Sequence, residues 1–137
     1  MEIQTREREG ITIADLDGRL VLGDANGIFR DTMKKLFDSG VRKVILNLGN
    51  VAYIDSSGLG SLVVCATSYR KAGGDIKLLN LTRRHMELLV ITKLTTVFET
   101  FLNEQDAVNS FFPDRHIQRF DILSFVQQQE DQEQESQ

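Results

Sequence analysis

Hydrophobic residues along the chain change their period several times, and each change predicts an element. Residues 3–7 alternate weakly. After Gly10, the run Ile11-Thr12-Ile13-Ala14-Asp15-Leu16 is rich in β-branched side chains, so two short strands are expected. Asp17-Gly18 predicts a hairpin turn, because glycine accepts positive φ without steric cost, and Arg19-Leu20-Val21-Leu22 predicts a third strand. Beyond Gly23 the apolar positions Ile28, Phe29, Met33, Leu36 and Phe37 fall at three- and four-residue spacing. That is the period of a helix, which Asp24 is placed to cap and Gly40 to end. Residues 44–48 are nearly all apolar, as in a strand covered on both faces.

The second half repeats this alternation. A link over residues 50–55 leads to a helix beginning near Ser56, with Leu59, Leu62, Val63, Ala66 and Tyr69 on its apolar side and Gly73-Gly74 at its end. Residues 76–79 predict a strand, and Thr82 caps a helix running through Met86, Leu89 and Val90. Residues 97–101 predict an edge strand, and Asn103 caps a last helix through Ala107, Val108, Phe111 and Phe112. Strands alternating with helices predict an α/β fold, a mixed but mostly parallel sheet with helices packed on it. Pro113, the single proline, marks the expected end of this unit, so residues 1–112 form one domain. Residues 113–126, with Ile117, Phe120, Leu123, Phe125 and Val126, make a short amphipathic extension. It has two readings, a helix folded back on the domain or a surface that meets a partner.

Charge changes the picture at one end. The 137 residues carry 16 Lys and Arg against 20 Asp and Glu, a net charge of −4. Residues 127–137 hold four of the acids and no base, so the remaining 126 residues balance at sixteen of each sign. A Gln/Glu run without apolar side chains cannot offset its ordering entropy, and a disordered acidic tail is expected there. The balanced body has no basic stripe, which excludes nucleic acid as a partner. No apolar run is long enough to span a bilayer, and the N-terminus has no signal-peptide character, so a cytoplasmic location without membrane insertion is expected.

Catalytic patterns are missing from the sequence. Ile54 and Gly58 flank Ser56 where a nucleophile elbow needs two glycines, and Gly58-Leu59-Gly60 lacks the third glycine of a dinucleotide fingerprint. No Walker motif occurs. One cysteine, Cys65, and two histidines, His85 and His116, supply no zinc-ligand set. No enzyme activity, cofactor or metal is therefore expected. Cys65 reads as inert core among the apolar residues of its helix. His85 reads as solvated within Arg83-Arg84-His85, a cluster that an acidic partner patch would suit.

The informative stretch is Asp55-Ser56-Ser57-Gly58-Leu59-Gly60. It follows a buried strand and opens a helix, where unsatisfied N–H groups and the helix dipole favour negative charge. A hydroxyl there has a structural role as a cap. It also has a functional one, since a phosphate on Ser56 would be tolerated by the helix yet would repel an acidic partner surface.

In this stretch the chain resembles the STAS domain, the fold shared by anti-sigma factor antagonists and the cytoplasmic parts of sulfate transporters. The resemblance rests on three segments. They are Asp17-Gly18-Arg19-Leu20, the residue 44–48 strand running into Tyr53-Ile54-Asp55-Ser56-Ser57-Gly58-Leu59-Gly60, and residues 94–98; the resemblance as a whole extends over roughly residues 3–112. It implies a STAS fold and a partner-switching anti-sigma factor antagonist. The unmodified form would bind an anti-sigma factor that is also a serine kinase and free a sigma factor. Phosphorylation would reverse this, and a serine phosphatase would reset it. The phosphoacceptor carried over is Ser56, with Ser57 as runner-up. Partner contacts fall on Asp24, Asp55, Ser56, Ser57, Gly58, Leu59 and Gly60. A second copy of the chain is a further candidate partner. The alternative function is a constitutive STAS scaffold, in a stressosome-like assembly or a membrane transport complex.

Overall fold

Alternation between the two sides of the strands decides how the chain layers. In the strands of residues 11–20 and 43–54, side chains at even positions (Ala14, Leu16, Val44, Leu46, Leu48) enter one core and those at odd positions (Ile11, Ile13, Ile45) enter another. The computed structural model describes residues 1–117 and 120–135. Its elements run β1 (Glu2–Arg8), β2 (Ile11–Leu20), α1 (Asp24–Asp38), β3 (Lys43–Ile54), α2 (Ser56–Lys71), β4 (Asp75–Leu79), α3 (Arg83–Ile91), β5 (Thr100–Phe101), α4 (Glu104–Asn109) and α5 (Ile122–Glu135). The strands form one five-stranded sheet in the order β1-β2-β3-β4-β5, antiparallel between β1 and β2 and parallel elsewhere. This is the mixed, mostly parallel sheet that the sequence predicts.

The thicker layer holds α1, α2, α3 and α5. Phe29 and Met33 of α1, Leu59, Leu62, Ala66 and Tyr69 of α2, and Met86 and Leu89 of α3 share one apolar core with the even-numbered strand residues. The Tyr69 hydroxyl donates to the Met33 carbonyl at 2.7 Å, and its ring meets Phe37 edge-on at 5.3 Å, so the C-terminal halves of α1 and α2 are joined. On the opposite face, Ala107 and Val108 of α4 pack on Ile11, Ile13, Ile45, Leu79 and Phe101, and Phe111 and Phe112 just beyond the helix pack against the same cluster. Lys77 lies buried on that thin face. Its ammonium donates to Ser110 Oγ (2.8 Å), the Ser110 carbonyl (3.1 Å) and Glu99 (3.2 Å), and stands 4.4 Å from the Phe111 ring. A buried cation needs such full pairing to be tolerated.

Several local expectations give way to the sheet. The reversal between β1 and β2 falls at Glu9-Gly10, both at positive φ (54° and 82°), and not at Asp17-Gly18. Gly18 does have positive φ, 125°, but it serves an irregularity inside β2 where the pairing with β3 shifts register. Residues 19–22 accordingly form no separate strand; β2 ends at Leu20. β3 continues to Ile54 through the residues expected as a link, because β2 pairs with it as far as Leu20 opposite Ile54. β5 is limited to Thr100–Phe101, since only these pair with β4. The N-cap of α1 is Gly23, and Asp24 is the first helical residue, an acid beside the positive end of the dipole without a capping bond.

Thr82 and Asn103 cap α3 and α4 as their positions predict. The partner of Thr82 is His85, which completes a capping box. His85 N–H donates to Thr82 Oγ1 (3.2 Å), and Thr82 N–H donates to His85 Nδ1 (3.3 Å). His85 is thus buried, 2% exposed, and not the solvated residue expected from its basic neighbours. Its Nε2 is enclosed against the Val51 main chain without a well-formed hydrogen bond. Burial, and secondarily the Arg84 charge, hold its pKa below the ordinary value.

Past Pro113 the chain returns to the core. Ile122 (4% exposed) and Val126 (7%) of α5 enter the larger cluster, and Phe120 and Phe125 pack together at 5.3 Å. α5 continues through residues 127–135, where composition predicts a disordered tail. Gln and Glu are good helix formers, and Gln127 bonds Asp131 one turn on (3.0 Å), so a helix nucleated by buried residues propagates. Residues 118–119 of the expected extension and 136–137 of the expected tail lie outside the described residues.

Two outcomes follow from these contacts. Folding favours neutral His85, so this contribution to stability is complete above the unfolded value of about 6.5 and is lost as pH falls below it. Thermal melts between pH 7 and 5 should show a falling Tm, and His85→Gln, which keeps an acceptor at the capping position, should flatten the fall. At the C-terminus, Ile122→Ala should cost about 2–5 kcal/mol in denaturant unfolding, while Leu123→Ala on the 55%-exposed side should be near neutral.

Candidate functional site

β3 ends at the buried Ile54, and the chain turns into α2 through Asp55, which has extended backbone (φ −90°, ψ −178°). Aspartate is a preferred residue at such a turn because its carboxylate reaches the free N–H groups of the first helical turn. One oxygen, Oδ1, accepts from the Gly58 N–H at 2.8 Å. The other, Oδ2, accepts from the Leu22 N–H at 2.9 Å, across the β2–α1 loop. The Asp55 main chain adds a bond from its N–H to the Leu20 carbonyl (3.2 Å) and accepts the first helical bond from Leu59 (2.9 Å). Donation from Leu22 and then Gly58 holds the carboxyl below the usual carboxylate range. Asp55 therefore caps α2 and fastens the preceding loop to it.

This arrangement changes the expected role of Ser56. The hydroxyl is not the cap; the residue is exposed at the first position of α2, and among the described residues its Oγ makes no hydrogen bond. Ser57 is half-buried. Gly58 is buried, and its reason is internal. A Cβ there would stand 2.1 Å from the Leu20 carbonyl oxygen and 2.9 Å from Leu20 Cγ. Leu59 is also interior, 7% exposed in the main core. Gly60 is exposed, and a methyl group at its Cα would point into open space. Of the seven residues assigned to a docking surface, Asp24, Ser56 and Gly60 lie on the outside and Asp55 and Ser57 lie at its margin. Gly58 and Leu59 support it from within. Asp24 is exposed, and among the described residues no hydrogen bond or ion pair joins it to α2.

Residues that the sequence did not single out for the site complete the surface. Leu22, Asn26, Arg30, Ser61 and Val64 join Ser57 and Gly60 in lining a groove of about 330 Å³ between α1 and α2. Leu22 is 74% exposed and Val64 54%, high values for aliphatic side chains. Tyr53, 40% exposed, carries the Arg19 guanidinium 5.5 Å from its ring centre. A sign was available in the sequence for one of them: Val64 falls off the apolar stripe of α2. Cys65 does not lie deep in the core. It is half-buried on the wall of a second groove between α1 and α2, where burial pushes its thiol pKa up to about 11. Arg83 bonds Glu87 (2.9 Å) and His85 faces inward, so the basic cluster is not one surface.

A domain with a mixed, mostly parallel sheet and an aspartate-capped, serine-led helix behind its longest strand defines a class. The STAS domain family model matches residues 2–107, and the chain belongs to that family. Among curated proteins it is similar to BtrV of Bordetella bronchiseptica, a candidate anti-sigma factor antagonist by name, with 26% identity over 111 residues, 81% of this chain and 95% of the relative. Among solved structures it is similar to a candidate anti-sigma factor antagonist from Thermotoga maritima (TM-score 0.74, 20% identity, 79% of this chain and 92% of that one). It is also similar to the Bacillus cell-fate determinant SpoIIAA in its phosphorylated form (TM-score 0.63, 20% identity, 80% and 99%). SpoIIAA, an anti-sigma factor antagonist, is also solved unphosphorylated, with a TM-score of 0.62. Among the described residues, no helix is long and apolar enough to cross a membrane.

The two glycines of the motif should separate in mutagenesis. Gly58→Ala should destabilise the fold by more than about 2 kcal/mol, because the contact it creates is with main chain that β2 holds in place. Gly60→Ala should change stability by less than about 0.5 kcal/mol, as the added methyl meets nothing. Urea unfolding of both variants measures the difference, and equal losses would refute the close approach at Leu20.

Proposed function

We propose that the protein is an anti-sigma factor antagonist that works by partner switching, with Ser56 as its phosphoacceptor. The observation that carries this reading is the division of labour at the start of α2. Asp55 does the capping, which leaves the Ser56 hydroxyl exposed and without a structural task. Modification of such a residue alters the surface and spares the fold. A phosphate brings about −1.5 to −2 charges to the positive end of a helix, where the dipole favours them. Beside Asp55 it makes an intensely negative patch that an acidic partner face would reject. The names of the similar proteins support the same reading, and SpoIIAA is known in both phosphorylation states.

The partner is an anti-sigma factor with serine kinase activity, which the unphosphorylated protein captures so that a sigma factor is released. The kinase transfers phosphate to Ser56 and dissociates, and a serine phosphatase restores the first state. In this cycle the protein is a cytoplasmic binding module and substrate, not an enzyme. Ser57, half-buried next to the groove, is less open to a kinase than Ser56.

The test is capture with two baits, Ser56→Ala and Ser56→Asp. The alanine bait should retain an anti-sigma factor of the serine-kinase type, and the aspartate bait should bind it at least about 100-fold more weakly, as like-charge juxtaposition at an interface costs several kcal/mol. Their melting temperatures should differ little. Equal retention by both baits would overturn the phosphoswitch and favour a constitutive scaffold.

A further inference from the structure

The sheet order places β1 at an edge, with β2 on one side and, among the described residues, no strand on the other. Which of its main-chain groups are free follows from the turn that precedes β2. Arg8 and Ile11 flank a two-residue loop, Glu9-Gly10, with both loop residues at positive φ (54° and 82°). In such a hairpin the flanking pair exchanges both main-chain hydrogen bonds, and bonded pairs recur at every second residue. Glu2, Gln4, Arg6 and Arg8 are therefore bonded to β2. The N–H and C=O groups of Ile3, Thr5 and Glu7 point outward, and Thr5 and Glu7 are exposed.

Proteins blunt such an edge with a proline, a bulge, a covering element or charge. β1 has no proline, and its register runs unbroken from Glu2 opposite Asp17 to Arg8 opposite Ile11. Its charges complement one another when the strand is laid antiparallel against a copy of itself. Outward groups must then meet outward groups, so the registers of greatest overlap centre on residue 4, 5 or 6. Centred on Arg6, two guanidinium groups face each other. Centred on Gln4, Glu2 faces Arg6, which Asp15 and Glu104 already hold. Centred on Thr5, the whole of β1 overlaps and Glu2 faces Arg8 at both ends. Glu2 makes no ion pair among the described residues, and Arg8 has one carboxylate, Glu104, that it shares with Arg6.

We propose that β1 pairs with β1 of a second copy of this chain, antiparallel about Thr5, and joins the two sheets into one. Ile3 exchanges main-chain hydrogen bonds with Glu7 of the copy, Thr5 with Thr5, and Glu7 with Ile3. A single strand pair is a small interface, so the dimer is weak and depends on concentration. Glu104 ties the start of α4 to Arg6 and Arg8, so the two-fold axis sets the two copies of α4 beneath opposite halves of the paired strands. The same axis reverses strand direction. The two α2 starts then lie at opposite ends of the joined sheet, and the dimer presents two Ser56 surfaces facing apart. The pairing is independent of Ser56 and of what binds beside it.

The experiment is analytical ultracentrifugation of the full chain over a concentration series, with amide hydrogen exchange followed by NMR. The parent should pass from monomer to dimer as concentration rises. Thr5→Pro removes an outward N–H and none that bonds β2, a strand position where proline is tolerated, and should weaken association by at least about tenfold. Glu2→Arg, at an exposed position that leaves Tm unchanged, sets like charges against Arg8 at both ends and should also weaken it about tenfold. At high concentration the amides of Ile3, Thr5 and Glu7 should gain protection, whereas those of Gln4, Arg6 and Arg8 are protected throughout. A chain that stays monomeric would overturn the proposal. So would a dimer that both variants leave within about twofold of the parent, or protection gained at another surface. If Thr5→Pro unfolds the domain, Glu2→Arg and the exchange pattern decide. Ser56→Asp should leave the dimer intact, so this pairing and the phosphoswitch fail separately.

Discussion

The carboxylate of Asp55 is the point at which three parts of the chain are held in register. One oxygen fixes the first turn of α2 through Gly58, and the other fixes the β2–α1 loop through Leu22. The second bond ties Leu22, just ahead of α1, to the cap of α2. The tie works only because α2 can approach β2 closely enough, which is what Gly58 permits against the Leu20 carbonyl. Aspartate and glycine, three positions apart, are thus one device. Its product is a flat, serine-led helix start beside a groove whose two walls come from different helices.

Much of the fold could be read from the sequence because burial imposes period. Residues 44–48 announced a covered strand, the spacing of Phe29, Met33 and Leu36 announced α1, and Thr82 and Asn103 marked helix starts by their capping chemistry. Errors arose where one local signal serves two geometries. Asp17-Gly18 signals positive φ, and Gly18 has it, but positive φ suits an irregularity in a strand as well as a turn. Which of the two occurs depends on β3 lying alongside, a contact between residues more than thirty positions apart. His85 misled for a similar reason. Its neighbours in sequence are arginines, whereas its neighbours in space are Thr82 and the end of β3.

The site was legible in part, and the division is physical. The motif around Ser56 is contiguous, so its residues could be named from sequence, although their division into outward-facing and supporting members could not. Leu59 and Gly58 look like neighbours of Ser56 on paper but project into the core as the helix turns. Asn26 and Arg30 escaped because they meet Ser57, Ser61 and Val64 only when α1 and α2 pack, and nothing in α1 taken alone reveals the shared groove.

The C-terminal helix shows where a family boundary and a physical boundary diverge. The family match ends at residue 107, yet Ile122 and Val126 belong to the same apolar cluster as Met86 and Leu89. A segment beyond the family match therefore shares the interior of the matched region. Trimming the chain to residues 2–107 would strip one wall from the core and leave α3 wet along that side. The span that the family model matches is shorter than the unit that packs around this core.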